Sequence, residues 1–494
     1  MQKILIANRG EIAIRIAQTC KKLNLIPCGI YSDADRSSLH IQHCKDAINI
    51  GGRLPQESYL DIAKIIDAAK KLDCNLIHPG YGFLSENQNF VKICKREGIT
   101  FIGPSTEAMG LTGDKVQAKK IASKVAPVIE GREASNEIDA LALSENIGFP
   151  VILKAVEGGG GRGLRIVKKI DDLKQAFLSS KNESVLSFGS DRIYIEKYIE
   201  NPRHIEVQIL SDKTDILHLG ERECSIQRRH QKLIEETPSP ALSHEKRNQI
   251  TDIARNIIKE LDYDNAGTVE FLYKNGEFYF MEVNARIQVE HPITELVTGI
   301  DIVEQQIHIA REDGLLIKQK DINFKGHAIE CRINSEHPLS FIPYPGIVKN
   351  FIPPQGPNIR VDTALYSGYS IPIFYDSLIS KLICFGSNRN EVIEKMKNAL
   401  FEFRISGIPS TIPFHISALN DTRFVDGKYD TSFIDNMTTF SEKKGEIAAA
   451  IFAQMPKKLQ FLKSDEKNNE DKWMKNRLDW ISKYDIERNL SVWA

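Results

Sequence analysis

The chain has 494 residues, 41% hydrophobic and 8% aromatic, with a formal net charge of -1. That length allows two to four domains with ordinary buried cores. The balanced charge gives no basis for binding nucleic acid or a membrane surface, and no run of about 18 apolar residues offers a membrane span. The eight cysteines form no C-x-x-C pair and no zinc spacing, and most lie in apolar runs, so they read as buried reduced thiols in the cytoplasm. Met1-Gln2-Lys3 leads straight into a strand pattern, without a signal peptide.

Residues 1 to 112 alternate strand and helix patterns: strand Lys3 to Ala7, helix Glu11 to Leu23, strand Ile26 to Tyr31, then strands ending at Leu76-Ile77-His78 and Thr100-Phe101-Ile102. This alternation predicts a parallel, Rossmann-like sheet. Loops at the carboxyl ends of such strands, here Asn8-Arg9-Gly10 and His78-Pro79-Gly80-Tyr81-Gly82, commonly bind ligands, although a glycine in a tight turn explains each loop equally well.

A second region, 113–330, begins with a helix carrying Lys115, then a strand Pro150 to Val156 carrying Lys154. Gly158, Gly159, Gly160 and Gly161 follow, and a strand resumes at Leu164 to Val167. Four consecutive glycines expose backbone N–H groups and let a phosphate chain approach closely. Positions 158, 160 and 163 match G-x-G-x-x-G, but a dinucleotide fingerprint needs a helix after the loop, and here a β-branched strand follows. A glycine-rich hairpin flap over a triphosphate is expected, with a flexible β-turn as the plainer alternative. Strand Ile193 to Ile199 carries Glu196 and Lys197, and Arg203 to Gln208 begins another. Glu221 to Lys232 mixes charges of both signs and reads most simply as a solvated loop, not a nucleic-acid patch.

Gly267 to Tyr273, Lys274-Asn275-Gly276 and Glu277 to Val283 read as a hairpin. A two-residue Asn-Gly loop would pair Lys274 with Glu277 and put Glu270 on the face opposite Glu282. A three-residue loop pairs Tyr273 with Glu277 and brings Glu270 diagonal to Glu282 on one face. The three-residue loop is preferred because it gathers three oxygen ligands, Glu270, Glu282 and Asn284, suited to Mg²⁺. Continued strand alternation to residue 290 would align Glu282, Asn284, Arg286, Gln288 and Glu290, with Met281, Val283, Ala285, Ile287 and Val289 as core. Arg286 offers a planar fork for a small oxyanion and Glu290 a base beside it. Metal, anion site and base in one file point to phosphate chemistry on a small acid; a half-buried strand with a wet face is the bland reading. Proline-rich turns at Phe341 to Gly346 and Ile352 to Pro357 open a third, mostly β region, 331–440, before a charged helical tail, 441–494, that holds Trp473, Trp480 and Trp493.

Several motifs stand together: Ala7-Asn8-Arg9-Gly10-Glu11-Ile12-Ala13, His78 to Asn87, Gly113-Asp114-Lys115, the four glycines, Glu196-Lys197-Tyr198, Asn201-Pro202-Arg203-His204, Gln227 to Lys232, Met281 to Thr294 and Phe374-Tyr375-Asp376-Ser377. From residue 2 to about 440 the chain closely resembles biotin carboxylase, an ATP-grasp enzyme. The resemblance implies an α/β and α+β fold: an N-terminal biotin carboxylase domain (1–112), an ATP-grasp domain (113–330) with a glycine-rich lid at about 130–202, a C-terminal biotin carboxylase domain (331–440) and the tail. It implies that Lys115, Lys154, the glycines, His204, Gln227 and His230 contact nucleotide phosphates or ribose. Glu196 and the backbone near Lys197 and Ile199 would bind adenine, with Leu272 packed on the base. Glu270, Glu282 and Asn284 would hold Mg²⁺ or Mn²⁺. Lys232, Arg286 and the backbone near Gln288 and Val289 would hold bicarbonate, Glu290 would be the base, and Arg332 would face biotin. Asp376 lies in a motif near the carrier-facing side.

The implied activity is ATP-dependent carboxylation of biotin within an acetyl/propionyl-CoA carboxylase; the corresponding subunit of a two-subunit pyruvate carboxylase, or another ATP-grasp ligase, is the alternative. No Ala-Met-Lys-Met motif occurs; the Met-Lys pairs are Met396-Lys397 and Met474-Lys475. Biotin is therefore expected on a separate biotin carboxyl carrier protein, with a carboxyltransferase as a further component of the complex. The resemblance also implies a homodimer: Arg15 and Arg360 match the family's dimer surface, whereas Gln18, Lys22 and Pro357 depart from it. The tail beyond 440 suits packing on the chain itself or docking to a partner.

Overall fold

Short β-branched runs joined by capped helices build the first layer. The computed structural model describes residues 2–156 and 164–437. The four-glycine loop and the expected tail helices lie outside the described residues. Five parallel strands are ordered Asp46–Asn49, Ile26–Tyr31, Lys3–Ile6, Leu76–His78, Thr100–Phe101. Ile12, Ile16 and Ala17 of helix Gly10–Lys22 pack with Ile4 and Ile6 in one core, the apolar stripe expected of a helix lying on a sheet. Helices Ile62–Lys71 and Gln88–Arg96 start at Asp61 and Asn87, whose side chains accept from Lys64 N and Phe90 N. The two loops at the strand ends hold each other: Asn8 Nδ2 donates to Pro79 O at 2.6 Å and to Tyr81 O at 2.8 Å.

Residues 131–197 carry a separate four-stranded antiparallel sheet, ordered Gly131–Ala134, Ile193–Lys197, Val151–Ala155, Arg165–Val167, with helices Glu137–Ile147 and Leu173–Phe188 packed on it. The main sheet has eight antiparallel strands: Glu277–Asn284, Asn265–Lys274, Arg203–Ser211, Ile216–Arg228, Gln231–Thr237, His327–Asn334, Leu378–Gly386, Ile359–Thr363. The third region is thus not an independent β unit. Its strands continue the central sheet where Ile234 pairs with Cys331, and its helices Arg389–Glu402 and Ile412–Asn420 make it less purely β than expected.

Three readings are corrected. The charged run 221–232 is not a solvated loop: it forms the strands Ile216–Arg228 and Gln231–Thr237, joined by a two-residue turn at Arg229-His230, and Glu221, Arg222 and Glu223 are buried. The strand from Glu277 ends at Asn284, so strand alternation does not reach Arg286, Gln288 or Glu290; they lie in a loop leading to helix His291–Thr298. The hairpin has the two-residue loop. Lys274 pairs with Glu277, and Asn275 (φ 52°) and Gly276 (φ 83°) have the two positive φ angles of a type I′ turn. Glu270 nevertheless reaches the face of Glu282, because the register shifts between Phe271↔Phe280 and Glu270↔Glu282. The extra residue, Met281, is a β-bulge.

A Cβ at Gly276 would meet nothing within 4 Å, so the only penalty for a side chain there is its φ. Gly276→Ala should lower stability by about 1 kcal/mol in equilibrium denaturation. No loss would contradict the turn type.

Candidate active site

A row of charged side chains crosses four neighbouring strands. Arg222 pairs across with Glu206, Glu206 with Glu270 and Glu270 with Glu282. Directly paired residues share a face, so these groups project together. Arg222 is fully buried; its Nε donates to Glu206 Oε1 at 2.6 Å, and its other nitrogens donate to Gln208, Thr268 and Thr294. Lys232, from the next strand, binds three carboxylates: Glu206, Glu270 at 2.8 Å and Glu290 at 2.7 Å. Arg332 donates from Nη2 to Glu290 Oε2 at 2.9 Å and from Nε to Glu235 Oε1 at 2.6 Å. His204 Nε2 lies 3.0 Å from Glu270 Oε2.

Burial without water would neutralise most carboxyls. Here burial pushes Glu290 up, but Lys232, Arg332 and Arg222 outweigh it and hold it well below the usual range. Glu270 is likewise lowered, burial being overcome by Lys232 and His204. Glu235 goes the other way: its burial wins over Arg332 and lifts it to about 7. Burial opposes the Lys232 charge, yet Glu206, Glu270 and Glu290 keep the ammonium well above its usual value. Glu290 is therefore held toward its ionised form, whereas Glu235, across Arg332, is held toward its protonated form.

Past the strand end, Arg286 is fixed from several sides. Its Nε donates to Glu86 Oε2 at 2.9 Å, Nη1 to Gln288 Oε1 at 3.0 Å and Nη2 to Asn284 Oδ1 at 3.1 Å. Gln288 Nε2 donates to Glu270 Oε1 at 3.3 Å, linking the loop to the carboxylate row.

A second cluster lies against the four-stranded sheet. Lys119 and Lys154 both pair with Glu196, which burial pushes up but these two ammonium groups hold below its usual value. Lys115 opens helix Lys115–Ala122, which Asp114 caps, and its Nζ is 3.8 Å from Glu282 Oε2. Lys115, Lys119, Lys154, Glu196 and Glu282 line one pocket with Val116, Ile129, Val156 and Met281. Met281, expected in the core, is thus part of this wall.

The other expected residues take their places around these clusters. Leu272 pairs with His204, and Gln227 lies opposite Lys232. His230 forms the exposed turn between their strands with φ 63°. The Lys197 side chain donates to Gly148 O and Phe149 O, and its backbone N–H to Glu130 O; Ile199 is half-buried beyond the strand. Val289 O accepts from Lys381 Nζ. Asp376 caps a turn, accepting from Leu378 N at 3.1 Å.

Sequence reasoning missed Glu206, Arg222, Glu235, Glu86 and Lys119. Glu206 was findable, since it shares a strand face with His204 two residues away. Glu86 sits inside the His78–Asn87 motif. Arg222 and Glu235 carried no local signal.

Oxygen donors at Glu270, Glu282 and Asn284 fit a hard divalent cation, with Glu270 and Glu282 directly paired. The lysine-rich pocket with apolar walls fits a nucleotide whose charge is phosphate. Arg222→Met would remove one of the two cations that neutralise the buried Glu206 and leave it sharing Lys232 with Glu270 and Glu290. It should cost about 3–5 kcal/mol in denaturation experiments, whereas Arg36→Met, at an exposed pair with Asp33, should leave stability unchanged. Equal effects from the two would contradict the burial argument.

Known proteins share this layout. Residues 1–109 match the biotin carboxylase N-terminal domain, 114–318 the ATP-binding domain of the carbamoyl-phosphate synthase L chain, and 330–436 the biotin carboxylase C-terminal domain. Biotin carboxylase 1 of Bacillus subtilis is 47% identical over 442 residues, 88% of this chain and 98% of the relative. A pyruvate carboxylase subunit of Methanothermobacter thermautotrophicus is 48% identical over 438 residues, 88% of this chain and 89% of the relative. The biotin carboxylase domain dimer of Hydrogenobacter thermophilus 2-oxoglutarate carboxylase, solved with MgADP, ADP and bicarbonate, superposes with a TM-score of 0.86 at 42% identity, covering 90% of this chain and 98% of that one. With all three domain types matched in order and close to half the residues identical, the chain belongs to the biotin carboxylase family of ATP-dependent ligases.

Proposed function

We propose that this protein carboxylates biotin on a separate carrier protein, using bicarbonate and ATP, within an acetyl/propionyl-CoA carboxylase. The observation that carries the reaction is Glu290, bound by both Lys232 and Arg332, on the loop that continues directly from the strand of Glu282 and Asn284. Lys115, Lys154, His204, Gln227 and His230 would hold the nucleotide's phosphates or ribose, together with the glycine loop. Glu196, the backbone of Lys197 and Ile199, and Leu272 would hold the base. Glu270, Glu282 and Asn284 would hold Mg²⁺ or Mn²⁺, which neutralises phosphate charge during transfer.

Lys232, Arg286 and the backbone at Gln288 and Val289 would bind bicarbonate. Glu290 then takes the bicarbonate proton. A depressed carboxyl is a weak base, so this transfer requires the oxyanion being created to sit against Lys232, one of the cations that depress it, with Arg286 adding to its stabilisation. The freed oxygen attacks the γ-phosphorus, the bond to ADP breaks, and carboxyphosphate forms. Carboxyphosphate breaks to CO₂ and phosphate, the phosphate removes the biotin N1 proton, and N1 attacks CO₂. Arg332 would stabilise the enolate-like ureido oxygen in that step.

A homodimer is part of this proposal. The dimer reported for the 2-oxoglutarate carboxylase domain supports it. A second reading of the acceptor, pyruvate, is favoured by the 48% identity to the pyruvate carboxylase relative. Carboxyltransfer assays of the co-purified complex with acetyl-CoA, propionyl-CoA, pyruvate and 2-oxoglutarate separate these acceptors.

The purified protein should cleave ATP only with bicarbonate, faster when free biotin is added. Glu290→Gln should lower kcat by roughly 10²–10⁴-fold; unchanged turnover would show that the base is elsewhere. Glu270→Gln and Glu282→Gln should each raise the Mg²⁺ concentration needed for half-maximal rate, and unaltered metal dependence would remove them as ligands.

A further inference from the structure

The loop that carries Glu290 is tied back at two consecutive carbonyls by side chains without an assigned role. Val289 O accepts from Lys381 Nζ at 3.0 Å, and Gln288 O bonds His291 Nδ1 at 2.7 Å. A carbonyl can only accept, so Nδ1 carries the proton. Both side chains are fully buried. Lys381 lies on strand Leu378–Gly386, directly across from Arg332 on one side and Asp362 on the other. Its ammonium is also 3.1 Å from Glu11 Oε1 and 3.7 Å from Asp362 Oδ2. Glu11 belongs to the first helix of the N-terminal domain and also takes a hydrogen bond from Tyr81. Lys381 is thereby held from two further elements before it touches the loop.

A trans peptide is planar, with its C=O and N–H pointing in opposite directions. Drawing the Gln288 and Val289 carbonyls toward His291 and Lys381 therefore turns the N–H groups of Val289 and Glu290 away from that packed side. Successive N–H groups presented this way form a cradle for a small anion, at the amino end of helix His291–Thr298. We propose that Lys381 and His291 are positioning residues for bicarbonate: they orient the 288–290 backbone so that its N–H groups complete the site made by Lys232 and Arg286. This deepens the reading of a bicarbonate-dependent reaction and rests on it. A purely structural role for the Lys381–Glu11–Asp362 cluster would instead lower stability without singling out bicarbonate.

Steady-state kinetics of the full chain decide between these roles. Lys381→Met, folded and still binding ATP, should raise KM for bicarbonate about tenfold or more, with KM for ATP within about twofold of the parent. Should that variant fail to fold, because Glu11 and Asp362 lose their counter-ion, His291 gives the same test. His291→Leu should raise the bicarbonate KM, and His291→Asn, whose amide can replace the Nδ1–H, should restore it. An unchanged bicarbonate KM in folded variants, or an equal rise in both KM values, overturns the proposal. If the unmodified protein cleaves ATP without regard to bicarbonate, the parent reading falls instead, and that outcome is visible before any variant is made.

Discussion

The site depends on one ammonium group shared by three buried carboxylates. Lys232 joins Glu206, Glu270 and Glu290, which come from two different strands and a loop. Ions of this kind persist in a protein interior only when the opposite charges and hydrogen bonds around them are complete. Arg222 completes the set at Glu206 and Arg332 at Glu290. The carboxyl groups of Glu206, Glu235, Glu270 and Glu290 thus face the cations of Lys232, Arg222 and Arg332, in a region that would receive a divalent cation. The charge that a metal and an anion would exchange with is already arranged in the folded chain.

Sheet continuity fixes this charge set in place. Because the main sheet runs unbroken from Glu277–Asn284 to Ile359–Thr363, Glu282 and Arg332 are fixed relative to one another by backbone hydrogen bonding, not by loop placement. The bulge at Met281 brings Glu282 onto the face of Glu270, and ending the strand at Asn284 lets the loop bring Glu290 to Lys232 and Arg332. The N-terminal domain supplies Glu86 to Arg286 and Glu11 to Lys381, so it braces the loop and the strand on either side of Glu290.

The parallel sheet was legible from hydrophobic runs and turn residues, and strands Ile26–Tyr31 and Leu76–His78 appear where the pattern places them. Periodicity failed where the chain departs from regular geometry. The polar file from Glu282 to Glu290 looked like one strand because a loop and a strand can share a two-residue spacing by coincidence. A three-residue turn is the simplest way to bring Glu270 to Glu282; Asn275-Gly276 in fact makes the short turn, and a bulge, which leaves no mark in a single sequence, does the rest. The charged run around Arg222 was unreadable for a related reason. Whether a charge is solvated or buried depends on partners such as Glu206 and Thr294, far away in sequence.

With this charge set, bicarbonate and not water would be the group that attacks ATP. Isotopic labelling tests it most directly. With ¹⁸O-bicarbonate, ATP and biotin, the account predicts that one labelled oxygen appears in the phosphate released, because the attacking oxygen stays on phosphorus when carboxyphosphate breaks down. Phosphate free of label in unlabelled water, formed at the same rate as ADP, would mean that water attacks and would contradict the account.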